Sequence, residues 1–147
     1  MPTSHRAGPG LRSCAALTCL LGSGLAWLAG CANAELAEPE VWHGQHHRAE
    51  EAACERLADA EAWREAWRRV GEAPPRAWPG GEAVAVVMLD RQRPSGGHRP
   101  VLEGVTDGTA AIRVEAPEGP ATTVITRPWL VALYPDGGPR EVTCRGP

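Results

Sequence analysis

Apolar and polar positions follow three rhythms along this chain. The first is helical: Trp63, Trp67 and Val70 recur at i, i+4 and i+7 behind Asp59, a residue suited to cap a helix N-terminus. Gly71 and the Pro74-Pro75 pair end that segment. Helical composition reaches back to residue 48, which leaves Ala49–Leu57 open between a separate helix and a strand. The second rhythm is unbroken. Ala83–Leu89, AVAVVML, is apolar throughout and bounded by turn residues, as expected of a strand covered on both faces. The third rhythm has period two. In Thr109–Glu115, Ala110, Ile112 and Val114 alternate with Ala111, Arg113 and Glu115. Asp107-Gly108 predicts a hairpin turn between that strand and Val101–Val105. Thr122–Thr126, Trp129–Tyr134 and Glu141–Cys144 are further expected strands, separated by Pro- and Gly-rich loops. One helical segment ahead of five or six short strands predicts an α+β fold, the N-terminal helix packed on a small antiparallel, mostly-β domain.

The first thirty residues have a different character. His5, Arg6 and Arg12 lead an apolar stretch from Cys14 to Ala29 that carries no charge. The stretch is interrupted by Gly22-Ser23-Gly24 and is short of the roughly 20 apolar residues a membrane span requires, so it reads as an export signal. It closes on Leu28-Ala29-Gly30-Cys31, which resembles the lipobox of bacterial lipoproteins. That resemblance implies acylation of Cys31, which would become the new N-terminus and tether the protein to the membrane of the cell envelope, facing the periplasm or in the outer membrane. The expected organisation is a signal at 1–30, a tether at 31–47 and the domain at 48–147.

Export changes the meaning of the five cysteines. Cys14 and Cys19 fall in the signal and Cys31 is assigned to lipid, so Cys54 and Cys144 remain as a pair in an oxidising compartment. A Cys54–Cys144 disulfide is the favoured reading, against two separate buried thiols.

Charge excludes one class of partner. The chain is weakly acidic, with a net charge of −3 and its arginines scattered among acids, so it lacks the basic stripe that nucleic-acid binding needs. Enzyme signatures are also missing: there is no serine nucleophile elbow, phosphate-binding loop or metalloprotease helix, and no cofactor is expected. His43, His46 and His47 are close in sequence, but no acid or thiol at ligand spacing completes a metal shell, and no metal site is assigned. Glu115 and Glu118 read as solvated carboxylates, and Trp63 and Trp67 as core. The segment Pro94-Ser95-Gly96-Gly97-His98 differs in kind. Its proline and glycines shape a loop that presents backbone amides and carbonyls, suited either to touching another protein or to turning the chain.

A family resemblance bears on that choice. DAEAWREAWRRVGEAPP, EAVAVVMLDRQRPSGGHRPVLEGV and RPWLVALYP, in that order, resemble the PrcB family of protease complex subunits between Leu57 and Pro135. Matching positions are Trp63, Trp67, Pro94, Ser95, Gly96, Gly97, Pro117, Gly119, Pro128 and Trp129. The resemblance implies a non-enzymatic, extracytoplasmic accessory protein that binds a secreted or surface protease. The contact surface would be Pro94–His98, helped by Pro117-Glu118-Gly119-Pro120 and Arg127-Pro128-Trp129. The loop is more distantly similar to that of chagasin-like cysteine-protease inhibitors, and a structural envelope lipoprotein without a dedicated partner is a further reading. The sequence departs from both patterns at His98, where an aromatic residue is expected. Pro100 in turn predicts an edge position or a bulge for the following strand.

Overall fold

In the computed structural model, residues 36–146 are described. They form a small β-rich domain of seven strands and one short helix. The strands are β1 (Glu40–Gly44), β2 (Ala53–Leu57), β3 (Val84–Leu89), β4 (Arg99–Thr106), β5 (Thr109–Glu115), β6 (Trp129–Tyr134) and β7 (Glu141–Arg145); the helix, α1, is Ala60–Val70. One sheet has the order β1-β6-β3-β2 and is antiparallel throughout. The other has the order β4-β5-β7.

The rhythms of the sequence explain the layering. β3 and β6 are buried at every position because they are the central strands of a sheet sandwiched between two covers. Ala85, Val87, Leu89, Val131 and Leu133 face α1, where they meet Trp63, Ala66, Trp67 and Val70. The alternate residues Val86, Met88, Leu130, Ala132 and Tyr134 face the second sheet and meet Ala110, Ile112 and Val114. Burying each such valine or leucine contributes about 1.5–3 kcal/mol relative to exposure, so these two strands anchor the whole domain. Trp67 stands at the centre of an edge-to-face aromatic group with Trp42, Trp63 and Trp129, at centroid distances of 5.8, 5.5 and 5.6 Å.

The expected helix signals hold in the structure. Asp59 Oδ1 accepts from the amides of Glu61 (2.9 Å) and Ala62 (2.8 Å), and Gly71 closes the helix at φ 93° with its amide on the Trp67 carbonyl. At the β4–β5 turn, Asp107 and Gly108 both have positive φ (51° and 80°), the geometry of a tight hairpin. Cys54 and Cys144 form a disulfide that joins β2 of one sheet to β7 of the other.

Three expectations are corrected and one open reading is resolved. The expected tether at 31–47 does not hold over its whole length, because Glu40–Gly44 pair with β6 as β1, and Trp42 packs on Trp63 and Trp67. Ala49–Leu57 contributes a strand, Ala53–Leu57, whose ladder with β3 overrides the helical propensity of its Ala, Glu and Arg residues. Thr122–Thr126 makes only an isolated bridge, Thr126 to Arg93. Last, the strands are not all antiparallel, since β7 runs parallel to β5. Pro100 does lie on an edge strand, β4, which also carries a register shift between Leu102 and Gly104. The expected signal at 1–30 and the lipidation at Cys31 lie outside the described residues. No described helix is long and apolar enough to cross a membrane.

Candidate functional site: the paired crossover loops

Strand register brings the expected loops together. Leu89 at the end of β3 lies opposite Trp129 at the start of β6, and Arg99 at the start of β4 lies opposite Glu115 at the end of β5. The β3–β4 link therefore crosses between the sheets beside the β5–β6 link, which crosses back. Gly44, the end of β1, is also opposite Trp129, so Gln45–His47 join the same end of the domain.

Backbone hydrogen bonds hold the two links as one unit. Arg93 and Thr126 exchange both bonds (2.8 and 3.1 Å), and the Gly96 amide donates to the Thr122 carbonyl at 3.0 Å. The Thr126 hydroxyl donates to the Ser95 carbonyl at 3.0 Å. Gly97 has φ 84°, and a β-carbon there would stand 2.8 Å from that of Pro117, so glycine is required both by conformation and by the close approach of the second loop. A β-carbon at Gly96 would meet the Thr122 hydroxyl at 2.5 Å.

The base of the loop is an ion pair that sequence reasoning missed. Arg93 donates through Nε to Asp90 Oδ2 (2.7 Å) and through a terminal nitrogen to Oδ1 (3.0 Å), and both side chains are buried. Removing one partner of such a pair costs about 3–5 kcal/mol, because the other is left charged without compensation. The only signal in the sequence was the i, i+3 spacing of Asp90 and Arg93 at the end of an apolar run. His47, also buried, donates from Nε2 to the Asp90 carbonyl at 2.8 Å. Burial is the main force holding this imidazole below its ordinary pKa, reinforced by the cations Arg127 and Arg69 and opposed by the bond to Asp90 and its charge.

The expected contact residues divide by exposure. Pro94, Gly97, Glu118, Gly119 and Pro120 are exposed, while Ser95, Pro117 and Arg127 are half-buried. Gly96, His98, Pro128 and Trp129 are buried. His98 thus stands inside the loop rather than on its surface. Its Nδ1 donates to the Ser95 carbonyl at 3.2 Å, and its own carbonyl accepts from Gln45 Nε2 at 3.0 Å. Arg127 donates to the Ala49 carbonyl at 3.1 Å, bracing the loop from below. Absent from the sequence reading, yet adjoining these loops, are Val124 and Ile125, which are 53% and 58% exposed. Their segment was expected to alternate between two faces as a strand; without strand partners, it turns both side chains to solvent.

Between the loops and the β4–β5 hairpin lies an open groove of about 770 Å³, lined by Gly97, Pro117, Arg99, Arg113, Arg145, Glu115 and Glu118 among others. Its charges are largely paired: Arg99 donates to Glu115 at 3.0 Å, and Arg113 bridges Glu103 (2.8 Å) and Glu115 (2.9 Å). The hydrogen bond from Arg99, with Arg113 nearby, holds the Glu115 carboxyl below the ordinary carboxylate range. Glu115 is thus an ion-pair partner, while Glu118 is exposed. Of the histidine trio, His43 lies on β1, His46 is exposed and His47 is bonded to Asp90, and no group of three metal-ligating side chains gathers among the described residues. What the site offers is fixed backbone, a small apolar tip and paired charges. Compared with family models, with curated proteins and with solved structures, the chain matches none.

Proposed function

We propose that this protein is an exported, lipid-anchored accessory protein that binds another extracytoplasmic protein through the paired crossover loops, the partner being a secreted or surface protease. The observation that carries the reading is the apolar tip Val124-Ile125 held out to solvent on the pre-organised Gly96–Thr122 and Ser95–Thr126 loop pair. Ordering flexible loops on association costs affinity, and loops already cross-bonded avoid much of that cost. The export signal, the Cys31 lipobox and the resemblance to the PrcB family support the compartment and the partner class. His98 acts in this reading as an internal brace. Partner contact falls instead to Pro94, Gly97, Glu118, Gly119, Pro120, Val124 and Ile125.

The test is crosslinking in intact cells followed by mass spectrometry. The expected result is one stoichiometric envelope partner, lost when Val124→Asp and Ile125→Asp are combined. A stoichiometric complex that survives that exchange would refute the loop surface. Potent inhibition of purified cysteine proteases, without a stoichiometric complex in cells, would favour the chagasin-like alternative.

A further inference from the structure

The exposed edges β1 and β4 are built differently. β4 carries several protections against pairing: Pro100 offers no N–H, a register shift lies between Leu102 and Gly104, and Arg99 and Glu103 are charged. β1 carries neither proline nor bulge, and Glu40 is its one charged residue. Among the described residues, no backbone hydrogen bond outside the β6 ladder reaches Glu40–Gly44. Within the described residues the outward amides and carbonyls of β1 are therefore free to pair, beside a Val41 that is 42% exposed.

A groove of about 340 Å³ lies against this edge, lined by Trp42, Trp67 and Trp129 together with Val41, Pro75 and Glu72. Glu72 is the one charged residue in its lining, is exposed, and forms no salt bridge among the described residues. Trp67 and Trp129 are buried at the floor of the groove, so the half-buried Trp42 supplies the accessible indole surface, and an indole beside a carboxylate favours a cation. A free strand edge favours an extended backbone. We propose that β1 binds an extended basic peptide segment of a partner protein, which adds a strand to the sheet and lays one Lys or Arg side chain in the tryptophan groove toward Glu72. Charge complementarity selects this occupant over a second copy of the chain, which is itself acidic at net −3 and would bring another Glu72 to the same seam. This surface is separate from the crossover loops, so its failure leaves the loop reading standing.

Fluorescein-labelled heptapeptides test the proposal against the full chain by anisotropy. One has the sequence Thr-Val-Thr-Arg-Thr-Val-Thr, a second has Glu at the centre, and a third is the Arg peptide N-methylated at alternate amides. The Arg peptide is expected to bind about tenfold tighter than the Glu peptide, a difference of roughly 1.4 kcal/mol. Glu72→Gln, on an exposed residue beyond the helix end, should shrink that ratio several-fold, and N-methylation should abolish binding. The proposal is overturned by no binding of the Arg peptide at millimolar concentration, by equal affinity for Arg and Glu peptides, or by indifference to N-methylation. A dimer in sedimentation whose β1 amides are protected on self-association would overturn it in favour of a second copy.

Discussion

The two margins of the sheet pair are held by different forces. On one margin β2 and β7, both edge strands, are joined by Cys54–Cys144; on the other, β1 and β4 have no covalent tie. β7 has no fully buried residue and β2 has only Leu57, so burial alone holds that margin weakly, and a covalent link is placed where the apolar grip is poorest. β1 also has no fully buried residue, and there the sheet relies on Trp42 wedged against Trp63 and Trp67. A covalent link and an aromatic wedge thus solve the same problem at opposite edges.

Breaking the wedge should have the largest effect. Trp67→Ala removes a fully buried indole that touches Trp42, Trp63 and Trp129, and truncations of this kind cost about 3–5 kcal/mol. Denaturant unfolding should register that loss. Native-state hydrogen exchange should then show the β1 amides opening before those of β7; simultaneous opening of both margins would contradict the division drawn above.

Breaking the staple comes next. Replacing both Cys54 and Cys144 with Ser should cost about 2–4 kcal/mol, the usual range for a disulfide closing a long loop. Here the exchange pattern should invert, with β7 and β2 opening first while β1 keeps its protection. Adding reductant to the native chain should reproduce the result, and reductant should leave the double-Ser variant unchanged.

A smaller effect distinguishes the margins by pH. His47 follows β1 and ties that margin to the carbonyl of Asp90, at the base of the loop. Because burial lowers its folded-state pKa below the ordinary 6.5, the folded chain binds this proton less readily than the unfolded one. The stabilising contribution of neutral His47 is therefore complete above pH 6.5 and is lost as pH falls below 6.5 through the lower folded value. Stability measured from pH 7.5 downward should decline over that window, and His47→Leu should flatten this part of the curve while lowering its level, since the Asp90 carbonyl then loses its donor. An unchanged slope in the variant would assign the pH dependence to other groups.

How much of this was legible in the sequence depended on how local each cause is. The unbroken run Ala83–Leu89 was legible as a strand covered on both faces because such a strand has no polar side to reveal. Trp129–Tyr134 was legible as a strand but not as a central one. The Asp59 cap, the Gly71 stop and the Asp107-Gly108 hairpin were legible because each is set by one or two residues. Cysteine bookkeeping pointed to Cys54–Cys144. What escaped were features made by distant partners. β1 and β2 are short and rich in polar residues, and are strands because β6 and β3 offer them ladders. The parallel β5–β7 pairing joins segments some thirty residues apart, beyond any local pattern. The inward turn of His98 depends on Ser95 and Gln45 together, and the Asp90–Arg93 pair is a buried anchor only because the loop folds over it. Of the loop site, sequence located the segments but not which of their side chains face out.

The smallest expected effect on stability falls on the surface that matters most for the proposed function. Val124 and Ile125 are more than half exposed and sit between the backbone anchors at Thr122 and Thr126, so their side chains are not needed to hold the loops together. Val124→Ser and Ile125→Ser should each change unfolding free energy by no more than about 0.5 kcal/mol, as surface substitutions away from caps, cores and networks usually do. Exchange protection of the Arg93 and Gly96 amides should also be unchanged, because those amides bond to backbone carbonyls of Thr126 and Thr122. If both variants keep wild-type stability while partner crosslinking falls, the apolar tip is there for binding and not for folding. A loss well above 1 kcal/mol would instead mean that the tip packs against the domain in solution, and the contact surface would have to be sought among Pro94, Gly97 and the Pro117–Pro120 turn.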